Sequence, residues 1–448
     1  MSKLIMSMSG VRGIVGESLT PEIVQNIALA FGTYVGKGPI ILGGDTRPSY
    51  DMIHSTVVGA LLSVGIDIID IGQVPTPTVQ QMIKFYKAKG GIVITASHNP
   101  IIWNGIKLMS GLGSFLNEEE HRDFMEVYDK QLFNLKSWDN IGSITKDTQA
   151  ITKHVDIILD TIDVDSIKNK KLKVLVDVNN GTGALANPEL LSRLGVEFDI
   201  LNSDPKQPFA HNPEPVKDNL VELQKAMKQG NYDIGFAQDA DADRLVIIDE
   251  QGRFIGEDYS LAYCIDYLLR FESGKNKKVV VNLSTSRVIE DISSLHNAET
   301  IYTKIGESNV TEGLRENQAT VGGEGNGGVI YPRVGWGRDS LVGIVVALKH
   351  LAESNCPVSE VVSTYPSYIM SREKISVDNR DDINQFLSKI ELLFEGNKLD
   401  RQDGVKVIFD DSWVHVRPSN TEPIIRIFVE APNQEIVDGL LTKIATIK

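Results

Sequence analysis

The chain has 448 residues, 42% of them apolar and 23% charged, with 45 Lys plus Arg against 60 Asp plus Glu and a formal net charge of −15. That length exceeds what one hydrophobic core serves and predicts several domains, while an acidic balance with no basic stripe excludes nucleic acid as the expected partner. No apolar run reaches the ~20 residues of a membrane span, Met1–Gly10 lacks a signal-peptide pattern, and Cys264 and Cys356 stand in unrelated contexts, so a cytoplasmic protein without membrane association is expected.

In chain order, Arg12 comes first, in the turn Ser9-Gly-Val-Arg-Gly13. Pro39–Asp45 then reads as a buried strand, followed by a helical segment and the strand-like Leu62–Gly72. The same plan returns with Leu172–Asp177 and Leu194–Leu201, and again with Lys278–Asn282 and Asn297–Gly306. Each is strand, helix, Gly or Asn stop, strand, the βαβ pattern of mixed sheets covered by helices. From about residue 364 the chain changes character. An amphipathic helix is expected at Ile383–Phe394, then short strands at 404–409, 413–416 and 424–429, then a last helix from Gln434. The predicted fold class is α/β: three similar domains (1–150, 151–252 and 253–364) with mixed sheets, and a smaller C-terminal α+β domain (365–448), around a central cleft.

Four loops at strand ends carry candidate chemistry. Thr95-Ala-Ser-His-Asn-Pro100 follows Gly91–Ile94 and presents Ser97 on a turn beside His98; Pro100 bars direct entry into a helix. The bland alternative is an Asn-Pro turn capped by Ser and Thr. Asp239-Ala-Asp-Ala-Asp243-Arg244 sets three carboxylates at alternate positions. In a straight strand these would stand ~6.6 Å apart, whereas Mg²⁺ needs oxygens at ~2.0–2.1 Å, so the segment must curl around an ion. A solvated acidic turn is the alternative. An EF-hand is excluded because its sixth position is Arg244 rather than Gly and Leu245–Ile248 reads as a strand. Gly322-Gly-Glu-Gly-Asn-Gly-Gly328 offers Glu324 and Asn326 to sugar hydroxyls or an amine, or is simply a hairpin turn. Arg417-Pro-Ser-Asn-Thr-Glu-Pro423, with Arg426 beyond it, makes a phosphate cradle or a polar hairpin loop. Arg47 in Asp45-Thr-Arg-Pro and Lys107 in Asn104-Gly-Ile-Lys are further basic residues beside turns, raised as anion contacts.

Taken together and in this order, T-A-S-H-N-P, D-A-D-A-D-R, G-E-G-N-G-G and R-P-S-N-T-E-P resemble the α-D-phosphohexomutase superfamily over essentially the whole chain. The resemblance implies four domains around one cleft, each giving a loop. It implies that Ser97 carries a phosphoryl group, that Asp239, Asp241 and Asp243 bind Mg²⁺ together with the Ser97 phosphate, and that Arg12, His98 and Lys107 act at the transfer site, with Lys107 or His98 as base. Arg244, Lys304, Glu324, Asn326, Arg417, Ser419, Asn420, Thr421 and Arg426 are the implied substrate contacts. A hexose phosphate is the expected small-molecule partner, with glucosamine or glucose 1,6-bisphosphate as activator and a monomer or homodimer as the state. Three positions depart from the usual pattern: Asn326 for Ser, Gly328 for His and Asn420 for Gly. They lean toward the phosphoglucosamine mutase branch, with phosphomannomutase or phosphoglucomutase specificity as the alternative. A sugar-phosphate-binding protein without turnover, and a phosphatase using Asp239 as nucleophile, are the competing readings of the same loops.

Overall fold

The computed structural model describes residues 4–272, 274, 276–377, 380–419 and 424–447. Each predicted βαβ unit is present. Ile40–Gly44, helix Tyr50–Ser63 and Ile68–Gln73 form the first; Lys173–Asp177, helix Gly183–Leu194 and Glu197–Leu201 the second; Lys278–Asn282, helix Val288–Leu295 and Glu299–Thr303 the third. In all three the two strands pair in parallel. The residues foreseen as stops, Gly65, Gly195 and Asn297, adopt φ of 79°, 68° and 53°, the left-handed conformation that ends a helix.

The repeat extends beyond these units. In each sheet a third strand runs parallel to the first strand of the unit and then turns back as an antiparallel hairpin: Gly90–Ile94 into Trp103–Ser110, Ile234–Gln238 into Leu245–Ile248, and Val321–Glu324 into Gly328–Ile330. The first sheet adds Ile5–Ser7 and Gly10–Ile14 at one edge and Ile144–Lys146 at the other. The last domain is an antiparallel five-stranded sheet in the order Ile369–Ser376, Ile424–Ala431, Trp413–Pro418, Val405–Ile408, Lys398–Asp400, covered by helices Arg380–Leu393 and Gln434–Ala445.

The apolar cores divide differently from the sheets. Helix Ser340–Ser354 is buried on nearly every side, as expected of a helix apolar all round. It packs on helix Glu257–Phe271 and on strand Leu245–Ile248 of the second sheet. One continuous core thus joins the middle two domains, from Val174 and Phe236 to Val281 and Ile344. The first and last domains keep cores of their own. Asp339 caps the shared helix, its carboxylate accepting from the amides of Leu341 (2.9 Å) and Val342 (3.3 Å). Among the described residues no helix is long and apolar enough to cross a membrane.

Candidate active site

The hairpin that recurs in the first three domains holds three of the four candidate loops. Its turn holds the Ser97 loop in the first domain, the aspartate loop in the second and the Glu324 loop in the third. In the last domain the strands Trp413–Pro418 and Ile424–Ala431 pair on either side of the fourth candidate loop.

Ser97 has φ +52°, a conformation that costs a non-glycine residue about 1–3 kcal/mol and persists only when the surroundings impose it. Here the surroundings do. The Ser97 amide donates to Thr95 Oγ1 (2.8 Å), and Thr95 Oγ1 donates to Asp45 Oδ2 (2.5 Å). Arg47 completes the clamp. Its Nη2 donates to the carbonyls of Ser97 (2.7 Å) and Asn99 (2.8 Å), its Nη1 to those of Pro100 (2.9 Å) and Trp103 (3.0 Å), and its Nε to Asp45 Oδ2 (3.0 Å). This corrects the expectation for Arg47: it is 1% exposed and spends its fork on four backbone carbonyls and the Asp45 carboxylate rather than on a ligand anion. Ser97 is likewise not presented to solvent. It is fully buried, and its Oγ donates to Asp239 Oδ2 at 3.0 Å across the seam between the first two domains.

The aspartate loop curls as the metal argument requires, with Ala242 at φ +53°. Asp239 Oδ1 accepts from the amides of Asp243 (3.1 Å) and Arg244 (3.2 Å). Asp241 Oδ2 accepts from Thr76 Oγ1 (2.5 Å) and Lys107 Nζ (2.6 Å), and Asp243 Oδ2 from Lys107 Nζ (3.0 Å) and Arg338 Nη2 (2.8 Å). All three aspartates are fully buried. One oxygen of each lies within 4.8 Å of the others, and Oδ1 of both Asp241 and Asp243 is buried without a hydrogen-bond partner among the described residues. Burial, with the charges of Asp243 and Asp241, pushes Asp239 well above the usual carboxylate range. Burial acts the same way on Asp243, but Arg338, Lys107 and Arg244 outweigh it and hold that group well below. Dry, mutually repelling all-oxygen donors with spare lone pairs suit a hard divalent cation such as Mg²⁺.

The other expected residues divide into those that gather here and those that do not. Lys107 is buried, and although burial opposes its charge, Asp241 and Asp243 raise its pKa above the usual lysine value. His98 lies with Nδ1 3.3 Å from Ser97 Oγ; burial and the Arg244 and Arg12 charges hold its pKa well below the ordinary imidazole value. Arg12 is half-buried and donates to Asn99 Oδ1 (3.0 Å). His98, Arg244, Glu324, Asn326 and Arg426 line one cleft of about 290 Å³ together with Glu214, Glu257 and Arg372. Glu324 is buried, and its Oε1 accepts from Asn282 Nδ2 (2.9 Å). Arg417 is buried with Nε 3.1 Å from Asp403 Oδ2, while its Nη2 is buried and donates to no atom among the described residues, an unspent donor of the kind an anion takes. The Ser419 amide donates to the Ile424 carbonyl (2.9 Å) at the neck of that loop; Asn420 and Thr421 lie outside the described residues. Lys304 is set apart. It lines a neighbouring cavity of about 560 Å³ with Met8, His121 and Asp403, 3.9 Å from Glu118.

Sequence reasoning passed over Arg338, Glu307, Thr76 and Asn282. A signal existed for the first: Gly335-Trp-Gly-Arg-Asp-Ser340 is a glycine-bearing turn before an apolar helix, the same setting that drew notice to Arg12 and Arg47. For Thr76 there was none, because only the docking of the first domain on the second brings its hydroxyl to Asp241.

Four models of the phosphoglucomutase/phosphomannomutase family match in succession: domain I over residues 3–134, domain II over 152–252, domain III over 256–368 and the C-terminal domain over 368–447. A phosphoglucomutase/phosphomannomutase of Thermococcus kodakarensis is 40% identical, over 95% of this chain and 94% of that one. A phosphoglucosamine/phosphogalactosamine mutase of Sulfurisphaera tokodaii is 34% identical over 99% and 98%, and a probable phosphoglucosamine mutase of Methanopyrus kandleri 37% over 95% and 94%. A crystal structure of a family protein from Burkholderia thailandensis superposes with a TM-score of 0.85 at 24% identity, covering 99% of this chain and 97% of that one.

Proposed function

Because the chain belongs to the phosphoglucomutase/phosphomannomutase family and is thus a phosphohexomutase, we propose that it interconverts glucosamine 6-phosphate and glucosamine 1-phosphate by way of phosphorylated Ser97 and a 1,6-bisphosphate. The observation that carries this reading is the 3.0 Å contact of Ser97 Oγ with Asp239 in the buried aspartate trio.

The free hydroxyl of a bound sugar phosphate attacks phosphorus on Ser97; the new P–O bond forms as the bond to Ser97 Oγ breaks. The bisphosphate then reorients within the cleft, and Ser97 Oγ attacks the phosphorus of the other phosphate, the one the substrate brought; the bond to Ser97 Oγ forms as the bond to the sugar oxygen breaks, and that oxygen takes up the proton. Mg²⁺ held by Asp239, Asp241 and Asp243 supplies charge neutralisation to the transferring group. Positioning does most of the remaining work. Lys107, held protonated by two carboxylates, acts as a fixed cation toward the phosphoryl oxygens. His98, held neutral beside Ser97, accepts the proton from the attacking hydroxyl. Arg417 binds the non-reacting phosphate through its unspent Nη2, aided by Ser419, Asn420, Thr421 and Arg426. Glu324, with Asn326, accepts from the sugar hydroxyls. Full burial of Ser97 keeps water from the phosphoserine.

The amino sugar is favoured by the names of the Sulfurisphaera and Methanopyrus relatives and by the cleft's three carboxylates, Glu214, Glu257 and Glu324, which suit an ammonium group. The Thermococcus relative supports glucose or mannose phosphates as the second reading. Turnover of glucosamine, mannose and glucose 1-phosphates with Mg²⁺ and a 1,6-bisphosphate decides between them. The expected outcome is the largest kcat/KM for glucosamine and loss of all three turnovers in Ser97→Ala; a Ser97→Ala enzyme as active as the parent would end the phosphoserine mechanism.

A further inference from the structure

Behind Glu324 of the cleft lies the buried Arg338, which has no part in the steps above, yet its fork is fully engaged. Nε donates to Glu307 Oε2 (2.9 Å), Nη1 to Glu324 Oε2 (2.9 Å) and Nη2 to Asp243 Oδ2 (2.8 Å). It is 7% exposed. Glu307 is braced in turn by Gln80 Nε2 of the first domain (3.2 Å). Glu324 therefore has one oxygen fixed by Arg338 and the other by Asn282 Nδ2 (2.9 Å) and the Gly306 amide (3.3 Å), which leaves a single carboxylate orientation facing the cleft.

A second contact concerns Gly328, where the chain departs from the family pattern. A Cβ built there would lie 2.2 Å from Arg338 Cδ and 2.8 Å from Cγ. The backbone of Gly328 is not in the left-handed region, so its conformation is open to any residue. What restricts the position to glycine is the aliphatic stem of Arg338 lying across it. A lysine would not substitute for the arginine, since an ammonium lacks the planar fork that reaches three carboxylates at once.

We infer that Arg338 is a positioning residue for the sugar: it sets the orientation in which Glu324 meets the hydroxyls, and Gly328 is bare in order to seat it. This rests on the reading of Glu324 as the hydroxyl acceptor. The test uses the full chain with Mg²⁺ in a Ser97→Ala background, so that calorimetric binding of glucosamine, mannose and glucose 1-phosphates is read without turnover. Arg338→Ala and Arg338→Lys each weaken binding by about tenfold or more, the scale of one charge-assisted hydrogen bond. Gly328→Ala does the same in the parent and has a much smaller effect once Arg338 is alanine, when only its Cβ, 3.1 Å away, remains. With Ser97 restored, KM rises by a larger factor than kcat falls, and added guanidinium ion recovers part of the affinity of Arg338→Ala. Circular dichroism and melting confirm that each variant is folded. Sugar binding indifferent to Arg338→Ala, or a Gly328→Ala effect of equal size with and without the arginine, overturns the inference alone. A parent protein that binds none of the three sugar phosphates overturns the proposed function and this inference with it.

Discussion

Replacing Arg47 by methionine keeps most of the side-chain volume and removes the clamp on the Ser97 loop. Two costs can be worked out. The Arg47–Asp45 pair is fully buried at 3.0 Å, and breaking such a pair from one side costs about 3–5 kcal/mol. Burial already pushes Asp45 above the usual carboxylate range, with Arg47 opposing it, so the orphaned carboxyl will take up a proton, which keeps this cost toward the lower figure. The carbonyls of Ser97, Asn99, Pro100 and Trp103 then lose their donor. A buried acceptor left unpaired costs about 1–3 kcal/mol, although a loop that relaxes toward water recovers much of that. A net loss of about 4 kcal/mol is expected, which at roughly 2–4 °C per kcal/mol lowers Tm by about 8–16 °C. Activity falls further than stability, since Ser97 relaxes from φ +52° once its carbonyl is released. Urea unfolding and calorimetry give the first number, and mutase turnover below the new midpoint gives the second. A loss under about 1 kcal/mol with unchanged kcat/KM would refute the clamp; the cycle with Asp45→Asn isolates the coupling of the pair.

His415 gives the pH dependence. It is buried between Ser284 Oγ (2.9 Å) and the Asp403 carbonyl (2.7 Å), and burial, reinforced by the Lys406 charge, pushes it from 6.5 down to about 4. The unfolded chain takes up this proton near 6.5 and the folded chain does not. The stabilisation is therefore complete above 6.5 and is lost as pH falls toward 4, by about 3 kcal/mol. His415→Gln should flatten that part of the urea stability profile. Chelating Mg²⁺ should abolish turnover and lower the melting midpoint, because a cation present at a hundredfold over its Kd stabilises by about 2.7 kcal/mol; an unchanged midpoint would argue against a site at the aspartate trio. Gly181→Ala would place a Cβ 2.6 Å from the Ala240 carbonyl. Backbone cannot give way as a side-chain tip can, so a loss of about 1–3 kcal/mol in urea and a weakened response to Mg²⁺ are expected.

What was legible in the chain was whatever chemistry had packed into a few consecutive residues. Asp239, Asp241 and Asp243 announce themselves because no structural need sets three acids at alternate positions. Ser97 does so because its loop closes on Pro100. Arg338, Glu307 and Thr76 contribute as much to the site, but each stands alone in its own segment and meets the others only through the tertiary fold. Arg47 shows the opposite failure. Its motif was noticed, but a cation in a turn looks the same whether it faces a ligand anion or the protein's own carbonyls and carboxylate. The strand Ile369–Ser376 escaped notice because it is an edge strand whose Arg372, Glu373 and Lys374 break the apolar alternation, as charges on sheet edges generally do. Lys304 was expected among the substrate contacts on the resemblance alone, and it lines a neighbouring cavity instead of the one shared by Glu324 and Arg426.

The aspartate loop has a consequence for how the molecule comes together. Its three acids belong to the second domain, but the hydroxyl and the ammonium that meet Asp241 come from the first, and the guanidinium that meets Asp243 comes from the third. The second domain by itself would hold a triple negative charge with most of its counter-charges missing. Docking of the neighbours supplies those counter-charges, Lys107 from the first domain and Arg338 from the third, so that burial of the acids is matched by charge once the domains are together.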